Sequence, residues 1–388
     1  MLTLASFIRS APPTSLRSYF STLTAPLPAE IPWDGPAGAI AAPLLRAVDA
    51  MDEADRLRVM NDAERVGAMA DEPGQAAIYS VCPHHELLDG MENGHARALW
   101  VFLHDQNTFR HAEEVRFADE KRFGRMWDGF AGRPHLTVAR GGAAVEALRQ
   151  AIADRFGSAN VEVEICDRSR PMLEGPDAAL VQAAVYREGR AGDVLEFVDG
   201  RLSRRPHKPV VEAALTYEPT TGAIEVVAAA RETREDLVRL FAEHLLGTAF
   251  QGERLPIRQF SLDRLRQPFG FPTDPADGID LVRITMMKLM PYETQGERIT
   301  LECMRGAENT IWQLAADRLK DQEQGIEGYA ITAVRLTIKF RAAPGARGGR
   351  ILPVTITMPK GCDLKDRTER ERIIGERYLR RWGLLRDV

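Results

Sequence analysis

The spacing of apolar side chains changes partway along this chain, and the predicted elements change with it. Through about residue 125 the period is helical. Ile40, Leu44, Leu45 and Val48 share one stripe of a helix over 40–52, with Pro43 in its first turn. Leu57, Met60 and Val66 mark a second helix over 53–69, and a third, heavily charged, covers 108–123. Upstream, Pro12 and Pro13 separate two short helices over 2–9 and 15–23. Residues 1–29 carry Arg9, Arg17, many serines and no acid, a composition shared with organellar transit segments. Two short helices of a soluble protein are the expectation.

Residues 126–140 are rich in glycine and aromatics and mark a boundary, with 136–139 as a strand that opens a sheet. A helix follows over 143–156, where Ala144, Leu148, Ile152 and Phe156 recur every four residues and Gly157 stands at the C-terminal cap. The period then falls to two. Val161, Val163 and Ile165 alternate with Glu162 and Glu164, the pattern of a half-buried strand. Another strand is predicted over 179–186. Strands at 194–198 and 201–203 flank Asp199-Gly200, a pair suited to the positive φ angles of a tight hairpin turn. Near the C-terminus, strands over 334–340 and 352–358 form a last hairpin, with Pro353 placing the return strand at an edge. The final helix starts near Asp366. Thr368 and Glu371 have capping-box spacing, and Ile374, Tyr378, Trp382 and Leu385 form the apolar stripe.

The stretch from about 210 to 340 reads as one unit used twice, over 210–262 and 284–340. Shifted by 74 positions, Leu215 falls on Leu289, Gly222 on Gly296, Arg231 on Arg305 and Leu240 on Leu314. Each copy reads strand, turn, strand, helix, strand. Two unrelated hairpin-and-helix units would give the same order. Either way the fold class is α+β: a helical N-terminal region followed by antiparallel sheet with packed helices. The domain division is 1–125, mostly helical; 126–208, α+β; and 209–388, α+β with the repeat and a basic C-terminal hairpin and helix.

The chain has 388 residues, 44% hydrophobic and 28% charged, as expected of a soluble globular protein. No window holds the eighteen or so apolar residues of a membrane span. Cys82, Cys166, Cys303 and Cys362 are dispersed and form no CxxC pair, which fits a reducing compartment and a cytoplasmic protein. The net charge is −5, yet residues 331–388 hold 14 Lys and Arg against 6 Asp and Glu. That asymmetry makes the C-terminus the candidate contact surface for a polyanion. Arg335, Lys339 and Arg341 lie on the outward strand face, Arg347 and Arg350 in the connecting loop, and Arg377 and Arg381 on the final helix. The alternatives are a solvated face, or a basic surface docking on the acidic remainder of the chain.

Six of the eight histidines lie between 84 and 135. Imidazole and carboxylate ligands suit zinc and related metals, and His84, His104 and His111 are the candidates, although no known metal-site spacing is met. No serine sits in GxSxG and no Walker or dinucleotide fingerprint is present. The leading expectation is therefore a non-enzymatic nucleic-acid-binding or regulatory protein without a cofactor, acting through the basic C-terminus. A metal-dependent hydrolase using residues 82–135 is the second. A structural protein that associates with itself or a protein partner through opposite charges is the third.

Overall fold

The computed structural model describes residues 2–23, 31–35, 37–172, 176–255, 258–292, 297–304, 306, 308–320, 325–342, 348–358 and 361–387. The chain divides into two compact units, Met1–Pro171 with Pro176–Glu253, and Met172–Gly175 with Arg254–Val388. The boundaries expected at 125 and 208 both fall inside the first unit.

The first unit begins with helices α1 (Leu2–Ser10), α2 (Pro13–Phe20), α3 (Ala37–Asp49), α4 (Glu53–Met69), α5 (Glu72–Val81), α6 (His85–Asp89), α7 (Gly94–His104) and α8 (Gln106–Lys121). Their starts are written into the sequence. Asp52, Asp71, Asn93 and Asp105 each accept a hydrogen bond from the backbone N–H three residues on, capping α4, α5, α7 and α8. The helices close around Phe7, Tyr19, Phe20, Ile40, Val66, Leu99 and Phe109. Pro43 lies inside α3, which begins earlier than its apolar stripe suggests.

A five-stranded antiparallel sheet follows, built from β1 (Trp127–Ala131), β2 (Val161–Arg170), β3 (Ala178–Glu188), β6 (Val210–Tyr217) and β7 (Ala223–Ala228), in the order β1-β7-β6-β3-β2. The opening strand is β1, not 136–139; Val138 is buried without joining the sheet. One face carries Ile165, Ala183, Val185, Leu215, Val226 and Phe130. It packs on Leu148 and Ile152 of α9 (Gly142–Phe156) and on Leu237, Val238 and Phe241 of α10 (Arg231–His244). Gly157 ends α9 at φ 63°, the left-handed conformation expected of a glycine cap. The other face meets α8. Between β3 and β6 the chain makes β4 (Gly192–Val198) and β5 (Arg201–His207), which pair only with each other. Their turn has Asp199 and Gly200 at φ 50° and 75°.

The second unit contains β9 (Ile279–Pro291), β10 (Ile299–Glu302), β11 (Tyr329–Phe340), β12 (Ile351–Thr357) and β13 (Gly361–Cys362), in the order β10-β9-β11-β12-β13. A separate pair joins β8 (Arg258–Phe260) to β14 (Leu385–Asp387). Helices α11 (Ile311–Arg318) and α12 (Glu369–Arg381) complete it, and both start in full capping boxes. Trp382 is fully buried and donates from Nε1 to the Pro272 carbonyl. β13 pairs only with Ile356 and Thr357, so β12 is an edge where Pro353 stands.

The fold is α+β, as the apolar periods indicate. The duplication gains no support from the strand pairing. The order strand, strand, helix recurs in β6-β7-α10 and β9-β10-α11. The third strand does not correspond: β11 pairs with β9, whereas β8 pairs with β14. No helix among the described residues is long and apolar enough to cross a membrane.

Candidate metal centre

Helix α8 serves two layers at once. Phe109, Ala112 and Val115 face the helical bundle. Its opposite side lies on the sheet, where strand residues of even number in β2, β3 and β6 project: Glu164, Cys166, Arg168, Gln182, Tyr186, Glu212 and Ala214. Ala118 packs on Ala214 and on Val227. The rest of this layer is polar, and burial requires its charges to be matched.

Toward the C-terminal end of α8 each carboxylate has guanidinium partners. Glu225 is buried between Arg122, at 2.6 Å, and Arg170, at 3.0 Å. Burial opposes its ionisation, but the two guanidinium groups outweigh that and hold its carboxyl well below the usual range. Arg168 reaches Asp119 and the Gln182 side-chain oxygen, each at 2.7 Å.

Toward the N-terminal end the balance fails. His111 and Glu114 stand three residues apart on one face of α8, opposite Glu164 of β2. One donor atom from each of the three lies within 4.8 Å of the others, and no other His, Cys, Asp or Glu triplet among the described residues converges in this way. Glu114 is 3% exposed. Its Oε1 accepts from the Tyr186 hydroxyl at 2.9 Å, while Oε2 is buried without a hydrogen-bond partner. Burial raises the Glu114 carboxyl to about 7; the Tyr186 hydrogen bond and Arg110 oppose the rise, and the charges of Glu164 and Glu212 add to it. Burial also raises Glu164, against the pull of Arg110, whose guanidinium lies 2.7 Å away. His111 Nε2 is 3.7 Å from the same carboxylate, and burial, then Arg110, lower its pKa, which favours the neutral imidazole a metal needs. His111 and Glu164 are partly exposed, so the cluster opens at the rim of the layer. Cys166 is no competing nucleophile: burial pushes its thiol up to about 12.

The other histidine candidates are elsewhere. His104 stacks on Trp100 with ring centres 4.8 Å apart, and His84 meets the same indole edge-on. Only His111 joins the carboxylates. Glu164 was not among the sequence candidates because alternation alone points it to solvent, and Tyr186 was not because it ends an apolar run whose two faces look alike. The one sequence signal was Glu114, a helix turn beyond His111.

The basic C-terminal residues are dispersed and largely paired. Arg335 lies 3.5 Å from Glu302, Lys339 2.6 Å from Asp280 and Arg350 2.8 Å from Glu371. Arg377 pairs with Asp277 and lies over the Tyr378 ring. Arg341 and Arg381 are exposed and form no ion pair among the described residues. Arg347 lies outside the described residues.

Comparison with known proteins finds no matching family model and no similar curated protein.

Proposed function

We propose that the protein binds one divalent transition metal at His111, Glu114 and Glu164 and uses it to activate water, as a metal-dependent hydrolase. The convergence of the three donor atoms within 4.8 Å, one of them on a buried carboxylate with an unpartnered oxygen, carries this reading. One imidazole and two carboxylates suit zinc, manganese or iron(II). Donors to a single tetrahedral ion stand roughly 3.4 Å apart, so closing the cluster takes about an ångström of side-chain movement. Three protein ligands leave a fourth position for water, the arrangement of catalytic rather than structural sites. Tyr186 holds Glu114 from the far side, in the place of an outer-shell partner. Arg110 already pairs with Glu164, and a cation would supply a counter-charge in direct contact with Glu114 as well.

The test is calorimetric titration of the metal-stripped full-length chain with zinc and manganese chloride. The expected result is one ion per chain, with affinity at least tenfold weaker in His111→Ala and in Glu164→Gln. At a hundred times Kd the bound metal would stabilise the fold by about 2.7 kcal/mol. No saturable binding by the wild-type chain, or equal binding by both variants, overturns the site. Binding without metal-dependent cleavage of ester and phosphodiester probes overturns the hydrolase alone.

A further inference from the structure

In the β4–β5 ribbon only Glu196 and Ser203 are half-buried; every other residue is exposed. Neither strand joins the five-stranded sheet, so each has an edge with no strand beside it. Cross-strand pairing sets Phe197 beside Leu202 and Leu195 beside Arg204 on one face. Phe197 is 76% exposed, Leu202 63% and Leu195 54%. The other face carries the smaller Val194 and Val198, with Glu196 between them in an ion pair to Arg205 at 3.2 Å. The first face is thus the more apolar, and large apolar side chains held out in water mark a binding surface.

The charges of the ribbon favour a second copy of this chain as the occupant. Asp193, Glu196 and Asp199 balance Arg201, Arg204 and Arg205, so the ribbon is formally neutral. Residues 1–253, which include it, hold 27 Lys and Arg against 38 Asp and Glu, which disfavours an anionic polymer or an anionic membrane. A two-fold contact needs a surface that complements itself. In an antiparallel stack centred on the Phe197–Leu202 row, the neighbouring rows exchange places. The row of Arg204 in one copy then falls on the turn that carries Asp199 in the other, and the reverse holds at the opposite end. Arg204 and Asp199 form no ion pair among the described residues of their own chain, so both are available for this contact.

We propose that the β4–β5 ribbon is a dimerisation arm. Two copies stack antiparallel through Leu195, Phe197 and Leu202, and Arg204 of each copy pairs with Asp199 of the other at the two ends of the apolar stripe. Seven residues a strand make a face about 23 Å long and about 10 Å wide. Two such faces bury less than the roughly 1,200 Å² at which standard interfaces begin, so the dimer is weak and concentration-dependent. This inference is independent of the metal centre.

The experiment is sedimentation velocity of the full-length chain over about 1–200 µM, the range in which a weak interface assembles. The wild-type chain is expected to pass from monomer to dimer, and Phe197→Ser with Leu202→Ser to remain monomeric throughout. Both side chains are exposed, so circular dichroism and melting of the variant should match the wild type. Arg204→Gln and Asp199→Asn are each expected to weaken the dimer about twofold or more. Asparagine tolerates the positive φ of position 199. The two changes combined should weaken it no further than the worse of them, because either alone already breaks the pair. A wild-type chain that stays monomeric at the highest concentration overturns the proposal, as does a dimer that the double serine variant leaves intact. Losses from Arg204→Gln and Asp199→Asn that simply add overturn the antiparallel pairing. A monomer carried onto neutral phosphatidylcholine vesicles by Phe197 and Leu202 overturns the second copy as occupant.

Discussion

Glu114 of α8 and Glu225 of β7 show how one buried residue type is shifted in opposite directions within one layer between helix and sheet. Both carboxylates are buried between α8 and the sheet, and burial acts against ionisation in both. Glu225 has Arg122 and Arg170 in direct contact, and they win. Glu114 has a neutral hydroxyl on one oxygen and Arg110 only at longer range, with further carboxylates around it, so burial wins. The consequence for Glu225 can be measured. Removing one partner of a buried ion network leaves the others uncompensated, at a cost of about 3–5 kcal/mol. Glu225→Gln should therefore lose that much stability near pH 7. The sign with pH follows from the depressed folded-state pKa. In the unfolded chain the carboxyl titrates near its ordinary value, so between that value and the folded one the unfolded state binds more protons. The stabilisation is complete above about pH 5, and it fades as pH falls through and below the ordinary carboxylate range. Urea denaturation at pH 7 and pH 3 should thus show a large gap between wild type and Glu225→Gln that narrows in acid. A gap independent of pH would mean that packing, not charge, is lost in the variant.

At the scale of elements, the sequence was legible wherever a single period ruled. Helices α4 and α9, the β4–β5 turn, the β11–β12 hairpin and the capped start of α12 all follow from local spacing. Helices α5, α6 and α7 did not, because alanine, glycine and histidine break up their apolar stripes; only the Asp71 and Asn93 caps announce them. The candidate metal centre was half legible for a different reason. Alternation in β2 says that Glu164 opposes Ile165, but it cannot say whether the polar side faces water or another layer. Here it faces α8, which itself looks too charged to be buried on both sides. Close helix contacts were equally invisible. A side chain at Gly94, where α7 begins, would place its Cβ 2.2 Å from the Ala70 carbonyl oxygen beyond the end of α4. Since backbone cannot yield as a flexible side chain can, Gly94→Ala should destabilise the first unit by about 1–3 kcal/mol. Equilibrium denaturation followed by tryptophan fluorescence would check it; a change within a few tenths would show that α7 can shift away at no cost.

For the whole molecule, charge counted along the sequence differs from charge available at a surface. Residues 254–388 hold 24 Lys and Arg against 18 Asp and Glu, so the remaining 253 residues are the acidic part of the chain. That arithmetic singles out the C-terminus as a polyanion surface. Yet Arg335 and Lys339 stand beside Glu302 and Asp280, acids of the same segment that are far from them in sequence and against them in the fold. A cation already matched by a carboxylate gains little from a phosphate, because it must give up one partner for the other. Exposed pairs of this kind also contribute only about 0–1 kcal/mol to stability, so their removal leaves the fold intact. The β4–β5 ribbon makes the same point on a smaller scale: its return strand holds Arg201, Arg204 and Arg205, yet Asp193, Glu196 and Asp199 leave the ribbon formally neutral, and Arg205 stands beside Glu196. In a salt series with a mixed-sequence DNA duplex, Arg335→Ala with Lys339→Ala should therefore leave affinity and its salt slope nearly unchanged. If this variant instead loses affinity, the polyanion surface lies where the linear charge count puts it. Local pairing would then be no guide to which cations this protein presents.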